Sequence, residues 1–100
     1  MYDIVIIGAG PAGLTAGIYG TRAAKKVLVL EKSAYGGQII NAQNIENFPT
    51  AAHISGIDFA NKLYNQAKDL GVEIKVEKAL EIKNLDDHKE IVTNNGTIEC

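Results

Sequence analysis

Ile4-Val5-Ile6-Ile7-Gly8-Ala9-Gly10-Pro11-Ala12-Gly13 is the stretch on which the reading of this chain turns. The four β-branched residues before Gly8 form a continuous apolar run, which predicts a strand buried on both faces, as central strands of parallel sheets are. Pro11 suits the first turn of a helix, where its missing N–H has no intrahelical partner. A helix is expected over residues 12–24, with Leu14 and Ile18 four apart and Gly13 and Gly17 likewise. Val27-Leu28-Val29-Leu30 predicts a second buried strand. Strand, glycine turn, helix and strand within about 30 residues make a βαβ unit.

Gly8, Gly10 and Gly13 match G-x-G-x-x-G, a weak signal alone but a strong one between a strand and a helix. Gly8 permits the tight turn, Gly10 lets backbone approach a pyrophosphate, and Gly13 lets the helix pack near the strand. The helix N-terminus then offers free N–H groups and a positive dipole end to the phosphates. Pro11 and Ala12 belong to the same phosphate turn. Glu31 closes the second strand 18 residues beyond Gly13. A carboxylate there can accept hydrogen bonds from both ribose hydroxyls, and it would repel the 2′-phosphate of NADP. The bland alternative is a structural turn with an exposed strand-end charge; motif, spacing and context together favour a dinucleotide. FAD and NAD remain undivided, because both present an adenosine diphosphate half.

Residues 31–54 show no sustained period and predict a long loop, with a short helical turn around Gly37-Gln38. Loops of this length inside a compact domain are often functional. Ser55-Gly56-Ile57-Asp58 has capping-box spacing. The helix after it would bury Phe59, Ala60, Leu63, Ala67 and Leu70 on one face, with Gly71 ending it. Val72, Ile74 and Val76 alternate with charged residues, as in a half-exposed edge strand. Leu80-Glu81-Ile82, Ile91-Val92-Thr93 and Thr97-Ile98-Glu99 follow as hairpin material, with Asn94-Asn95-Gly96 as the last turn. The expected fold is therefore α/β: a Rossmann-like domain with a three-stranded parallel half-sheet plus an antiparallel β-meander. The last strand runs into the end of the chain, so truncation before a closing strand is expected.

Composition removes several classes of function. The 100 residues carry 10 basic and 12 acidic side chains, a net charge of −2, with the signs interspersed. Nucleic acid and anionic membrane need a clustered basic surface and are not expected partners. The uncharged stretch 4–21 is preceded by Asp3 rather than a basic segment and is broken by glycines and Pro11, against a signal peptide or membrane span. Cys100 is the single cysteine, which fits a reducing cytoplasm and excludes an intrachain disulfide. His53 and His88 have no cluster of ligands around them, so no metal is expected. Arg22 reads as a local ion pair or cap.

The combination of Gly8-Ala9-Gly10-Pro11-Ala12-Gly13, Tyr19-Gly20-Thr21-Arg22-Ala23, Glu31-Lys32-Ser33-Ala34-Tyr35-Gly36-Gly37-Gln38 and Ile45-Glu46-Asn47-Phe48-Pro49 resembles the bacterial low-molecular-weight thioredoxin reductases. Those enzymes carry G-x-G-P-A-G, Y-x-x-R-A, a G-G-Q loop and E-N-[WF]-P. The resemblance spans essentially the whole chain. It implies that residues 1–100 are the N-terminal part of an FAD-binding domain, with the NADPH domain and the C-terminal FAD segment beyond them. It implies that Gly8, Gly10, Pro11, Ala12 and Gly13 hold the pyrophosphate, that Glu31 meets the adenosine ribose, and that the segment from Lys32 through Gln38 runs along the cofactor. Gly36, Gly37 and Gln38 would approach the flavin, Asn47 would hydrogen-bond it or its ribityl chain, and backbone near Lys78 and Ala79 would meet the adenine. It further implies a homodimer, NADPH as donor and thioredoxin as acceptor.

The departures bear on that last step. No C-x-x-C occurs, and Pro49-Thr50 stands where the family has P-G. Cys100 has no partner two residues on and reads as an ordinary thiol. None of these residues is assigned a catalytic step, and the piece alone is expected to be inactive. Ferredoxin- or flavodoxin-linked flavoenzymes of the same fold, and a non-catalytic nucleotide-binding module, remain as alternative readings.

Overall fold

The computed structural model describes residues 1–33 and 36–100; Ala34 and Tyr35, part of the stretch that carries the resemblance, lie outside the described residues. The elements run β1 (Ile4–Ile7), α1 (Pro11–Arg22), β2 (Val27–Glu31), a 3₁₀ helix (Gly37–Asn41), α2 (Gly56–Asp69), β3 (Glu73–Val76), β4 (Ala79–Asn84), β5 (Lys89–Thr93) and β6 (Gly96–Glu99). Strands β1, β2 and β3 form a parallel sheet in that order. Strands β4, β5 and β6 form an antiparallel meander.

Alternation along β2 builds three layers. Val27 and Val29 pack with Leu14, Ile18, Ala67 and Val72 on the helical side. Leu28 and Leu30 pack with Ile91 of the meander on the other. The first four of the five β2 residues are buried because the strand lies between two neighbours and under two covering layers. Each such side chain contributes about 1.5–3 kcal/mol of burial free energy.

Within residues 1–100 β1 pairs on one side only, with β2, and Ile4 and Ile7 are 38% and 53% exposed. An apolar β-branched run marks a strand but does not say which neighbours it has. Leu70, expected in the α2 stripe, is likewise exposed. The helix ends there: Gly71 turns with φ +96, its N–H donating to Lys68 C=O, and Val72 N–H donates to Ala67 C=O. This Schellman closure swings Val72 into the core in place of Leu70. At the other end Ser55 Oγ accepts from Asp58 N–H at 3.1 Å, as the capping spacing predicts.

Helix α1 stops two residues earlier than expected, at Arg22, and closes in the same way. Ala24 N–H donates to Thr21 C=O and Lys25 N–H to Gly20 C=O, with Ala24 at φ 61. A left-handed alanine costs roughly 1–2 kcal/mol, which explains why sequence alone carried the helix through it.

The β4–β5 turn gathers the charged groups of the meander. Glu90 and Glu99 sit directly opposite each other, an unfavourable like-charge pair. His88 Nε2 lies 3.5 Å from Glu90 and 3.7 Å from Glu99, while its Nδ1 is 2.6 Å from Asp87 Oδ1. The hydrogen bond to Asp87 holds His88 above its ordinary value of 6.5, and Asp87 is held below its own. A raised histidine stabilises the fold fully below its unfolded value and loses that contribution as pH rises through the folded one. Urea midpoints should therefore fall modestly as pH rises past 6.5, by the small amount an exposed pair allows. The variant His88→Gln should flatten that fall; an equal fall in the variant would show that another group is responsible.

Candidate functional site: a dinucleotide cradle at the strand ends

The carboxyl ends of β1 and β2 meet the link between β3 and β4 at one place. A cavity of about 430 Å³ opens there, lined by Ile7, Gly8, Leu30, Glu31, Lys32, Glu77, Lys78 and Ala79. Open α/β sheets bind their ligands in the crevice outside the carboxyl ends of the strands.

The three glycines of the turn are required for different reasons. Gly8 has φ +110, a conformation that side-chain-bearing residues rarely adopt, and its N–H donates to Leu30 C=O at 2.7 Å. A Cβ on Gly13 would stand 1.8 Å from Gly8 O, so glycine is demanded by the approach of α1 to the end of β1. Gly10 is demanded by neither. Its φ is −78, and the nearest atom to a Cβ there would be Gly37 Cα at 3.7 Å, an ordinary contact. The protein thus leaves open space at Gly10 for a group to approach from outside.

The surroundings of Gly10 fit a phosphate. It caps α1 without a side-chain hydrogen bond, Pro11 follows, and no acidic residue lies in the first turn. The positive end of the helix is thus left open to an anion. Gly36 and Gly37 are held against this turn: Gly36 N–H donates to Ala9 C=O at 2.7 Å, and a Cβ on Gly37 would stand 3.2 Å from Gly10 Cα. The glycines of the long loop and those of the strand–helix turn are therefore one structure.

Glu31 stands at the end of β2, opposite Val76, with Oε2 accepting from Lys32 N–H at 3.0 Å. Lys32 and Ala79 border the same cavity. Pro11 and Ala12 lie in the first turn of α1. Gln38, in the 3₁₀ helix, and Asn47, in the loop beyond it, are both exposed and do not line the cavity. Phe48, next to Asn47, packs edge-on against Phe59 with ring centroids 4.8 Å apart. Glu77 was missed at the sequence level, where alternation made it one more polar residue of an edge strand.

A larger cavity, about 690 Å³, lies between α1, α2 and the loop at 48–54. Arg22 lines it and has no ion-pair partner among the described residues; of the expected pair or cap, its place in the last turn of α1, where the helix dipole favours a cation, fits the second. That cavity has no glycine turn among its lining residues. Among the described residues no group of three or more His, Cys, Asp or Glu is placed to hold a metal ion, and no helix is long and apolar enough to cross a membrane.

Turn, helix end and parallel strands together define a Rossmann-like α/β domain built on a βαβ unit. Comparison with known proteins narrows the class. The chain belongs to the pyridine nucleotide-disulphide oxidoreductase family, which it matches over residues 2–99. It is 50% identical over 96 residues to a 34.2 kDa protein in the rubredoxin operon of Clostridium pasteurianum, covering 96% of this chain and 31% of that one. It is 44% identical over 73 residues to a thioredoxin reductase of Bacillus subtilis, covering 73% of this chain and 23% of the relative. The crystal structure of Lactococcus lactis thioredoxin reductase superposes with a TM-score of 0.95 at 38% identity, over 99% of this chain and 33% of the other. The chain thus spans about a third or less of the proteins it resembles.

The contrast between Gly10 and Gly13 is testable. Gly13→Ala should lower stability by about 3 kcal/mol or more in urea melts, because backbone cannot yield to a Cβ at that distance. Gly10→Ala should stay within about 1 kcal/mol of the parent yet lose dinucleotide binding. Equal effects of the two substitutions on stability would contradict the assignment.

Proposed function

We propose that this chain is the FAD-binding part of a thioredoxin-reductase-like flavoprotein disulfide oxidoreductase. In the intact protein electrons pass from NADPH through flavin to a redox cysteine pair and on to thioredoxin. The observation that carries the reading is Gly10, a glycine that neither its own backbone nor the surrounding protein requires, at an open helix N-terminus beside Gly37.

In this reading the α1 N-terminus holds the pyrophosphate through Gly10, Ala12 and Gly13. Glu31 accepts hydrogen bonds from the adenosine ribose, and backbone at Lys78 and Ala79 meets the adenine. The Gly36–Gly37 segment, pressed against the phosphate turn, leads the cofactor towards Gln38 and Asn47 at the flavin end. That second point of contact is what favours FAD over NAD. When bound, the flavin supplies the electron-transfer chemistry; these residues bind and orient it. The NADPH domain, the cysteine pair and the C-terminal FAD segment belong to chain outside residues 1–100, and the whole acts as a cytoplasmic homodimer.

The test uses the intact protein with NADPH and oxidised thioredoxin. Reduction of the thioredoxin disulfide is expected, and Glu31→Ala should weaken FAD binding roughly tenfold to a hundredfold, the worth of a charge-assisted hydrogen bond. Excess FAD should restore the variant's rate. Unchanged FAD affinity in Glu31→Ala would refute the ribose role, and absence of disulfide reduction in the parent would refute the activity.

A further inference from the structure

Glu77 and Lys78 carry the chain from β3 in the parallel sheet to β4 in the antiparallel one, and both line the cavity at the strand ends. Residues that cross between two sheets belong to neither ladder, so their backbone groups need other partners. They find them on the β5–β6 turn. Lys78 N–H donates to Asn94 Oδ1 at 2.9 Å, and Asn94 N–H donates to Lys78 C=O at 3.1 Å. Beside this two-point clasp, Thr93, only 5% exposed, accepts from Asn95 N–H at 3.0 Å and places its hydroxyl 2.9 Å from Glu77 Oε2, the nearer of two acceptors, with Gly96 C=O at 3.1 Å. Ala79 is the ladder partner of Thr93, and the register then shifts before Glu81.

Asn94 is not required by the turn in which it sits. The positive φ of that turn falls on Gly96, at +130, and Asn94 is not among the residues with positive φ. Its amide side chain is instead spent on Lys78. We infer that Asn94 is a positioning residue for the adenosine end of the bound dinucleotide: it fixes the Lys78 peptide, and with it Glu77 and Ala79, as one wall of the cavity. Thr93 holds the Glu77 carboxylate towards the hairpin, so that Glu31 is the carboxylate offered to the ribose. The inference rests on the proposed nucleotide site and goes beyond it, because Asn94 itself does not line the cavity.

The test is titration of the full chain with ADP, which carries the adenosine half alone, in the parent, Asn94→Ala, Asn94→Asp and Glu31→Ala. Asn94→Ala should weaken ADP binding about five- to tenfold, the worth of a hydrogen bond or two. Asn94→Asp, which keeps an oxygen acceptor for Lys78 N–H, should recover most of it. Amide hydrogen exchange gives a second reading: the Lys78 amide should exchange faster in Asn94→Ala and slow again in Asn94→Asp. ADP bound equally by the parent and Asn94→Ala, with Glu31→Ala weakened, would overturn the positioning role alone. Absence of ADP binding in the parent would remove the nucleotide site, and the role of Asn94 with it.

Discussion

Helix α1 can begin where it does because Gly13 has no Cβ. A side chain there would occupy the space of the Gly8 carbonyl, 1.8 Å away, and the helix would have to lift from the end of β1. With the helix down, its N-terminus follows closely on Gly8, which lines the cavity together with Glu31 and the link at 77–79. Leu14 and Ile18 reach Val27 and Val29 only from that position. One close backbone approach thus sets the core on the helical side and the polarity of the site together.

The second sheet has two tasks. Ile91 closes the lower face of β2 against Leu28 and Leu30, giving the central strand its second covering layer. The return of the chain from β3 to β4 also brings a short polar link across the strand ends. Because that link belongs to neither ladder, its geometry is set by side chains of the β5–β6 turn rather than by sheet hydrogen bonds. The core of the meander stabilises the domain while its tip shapes the cavity.

Much of this was legible in the residues. The glycine spacing, the apolar run Val27-Leu28-Val29-Leu30, the Ser55 cap and Gly71 each express a local rule, and each was found where that rule places it. The parallel half-sheet and the meander follow from their order. What could not be read are facts of neighbourhood. Leu70 continues the helical stripe, but the turn at Gly71 gives its place to Val72. The contact of Gly36 with Ala9, and of Asn94 with Lys78, joins segments far apart in the chain, and no periodicity announces either. Gln38 and Asn47 stand in the loop without lining the cavity, and their proposed roles rest on the resemblance to thioredoxin reductases.

Whether this cradle is built for FAD is decided by gel filtration of the chain with excess FAD, and in parallel with excess NAD, reading the absorbance of each across the protein peak. Flavin should travel with the protein at close to one per chain, with little NAD. Protein that elutes free of flavin while retaining NAD would contradict the FAD reading.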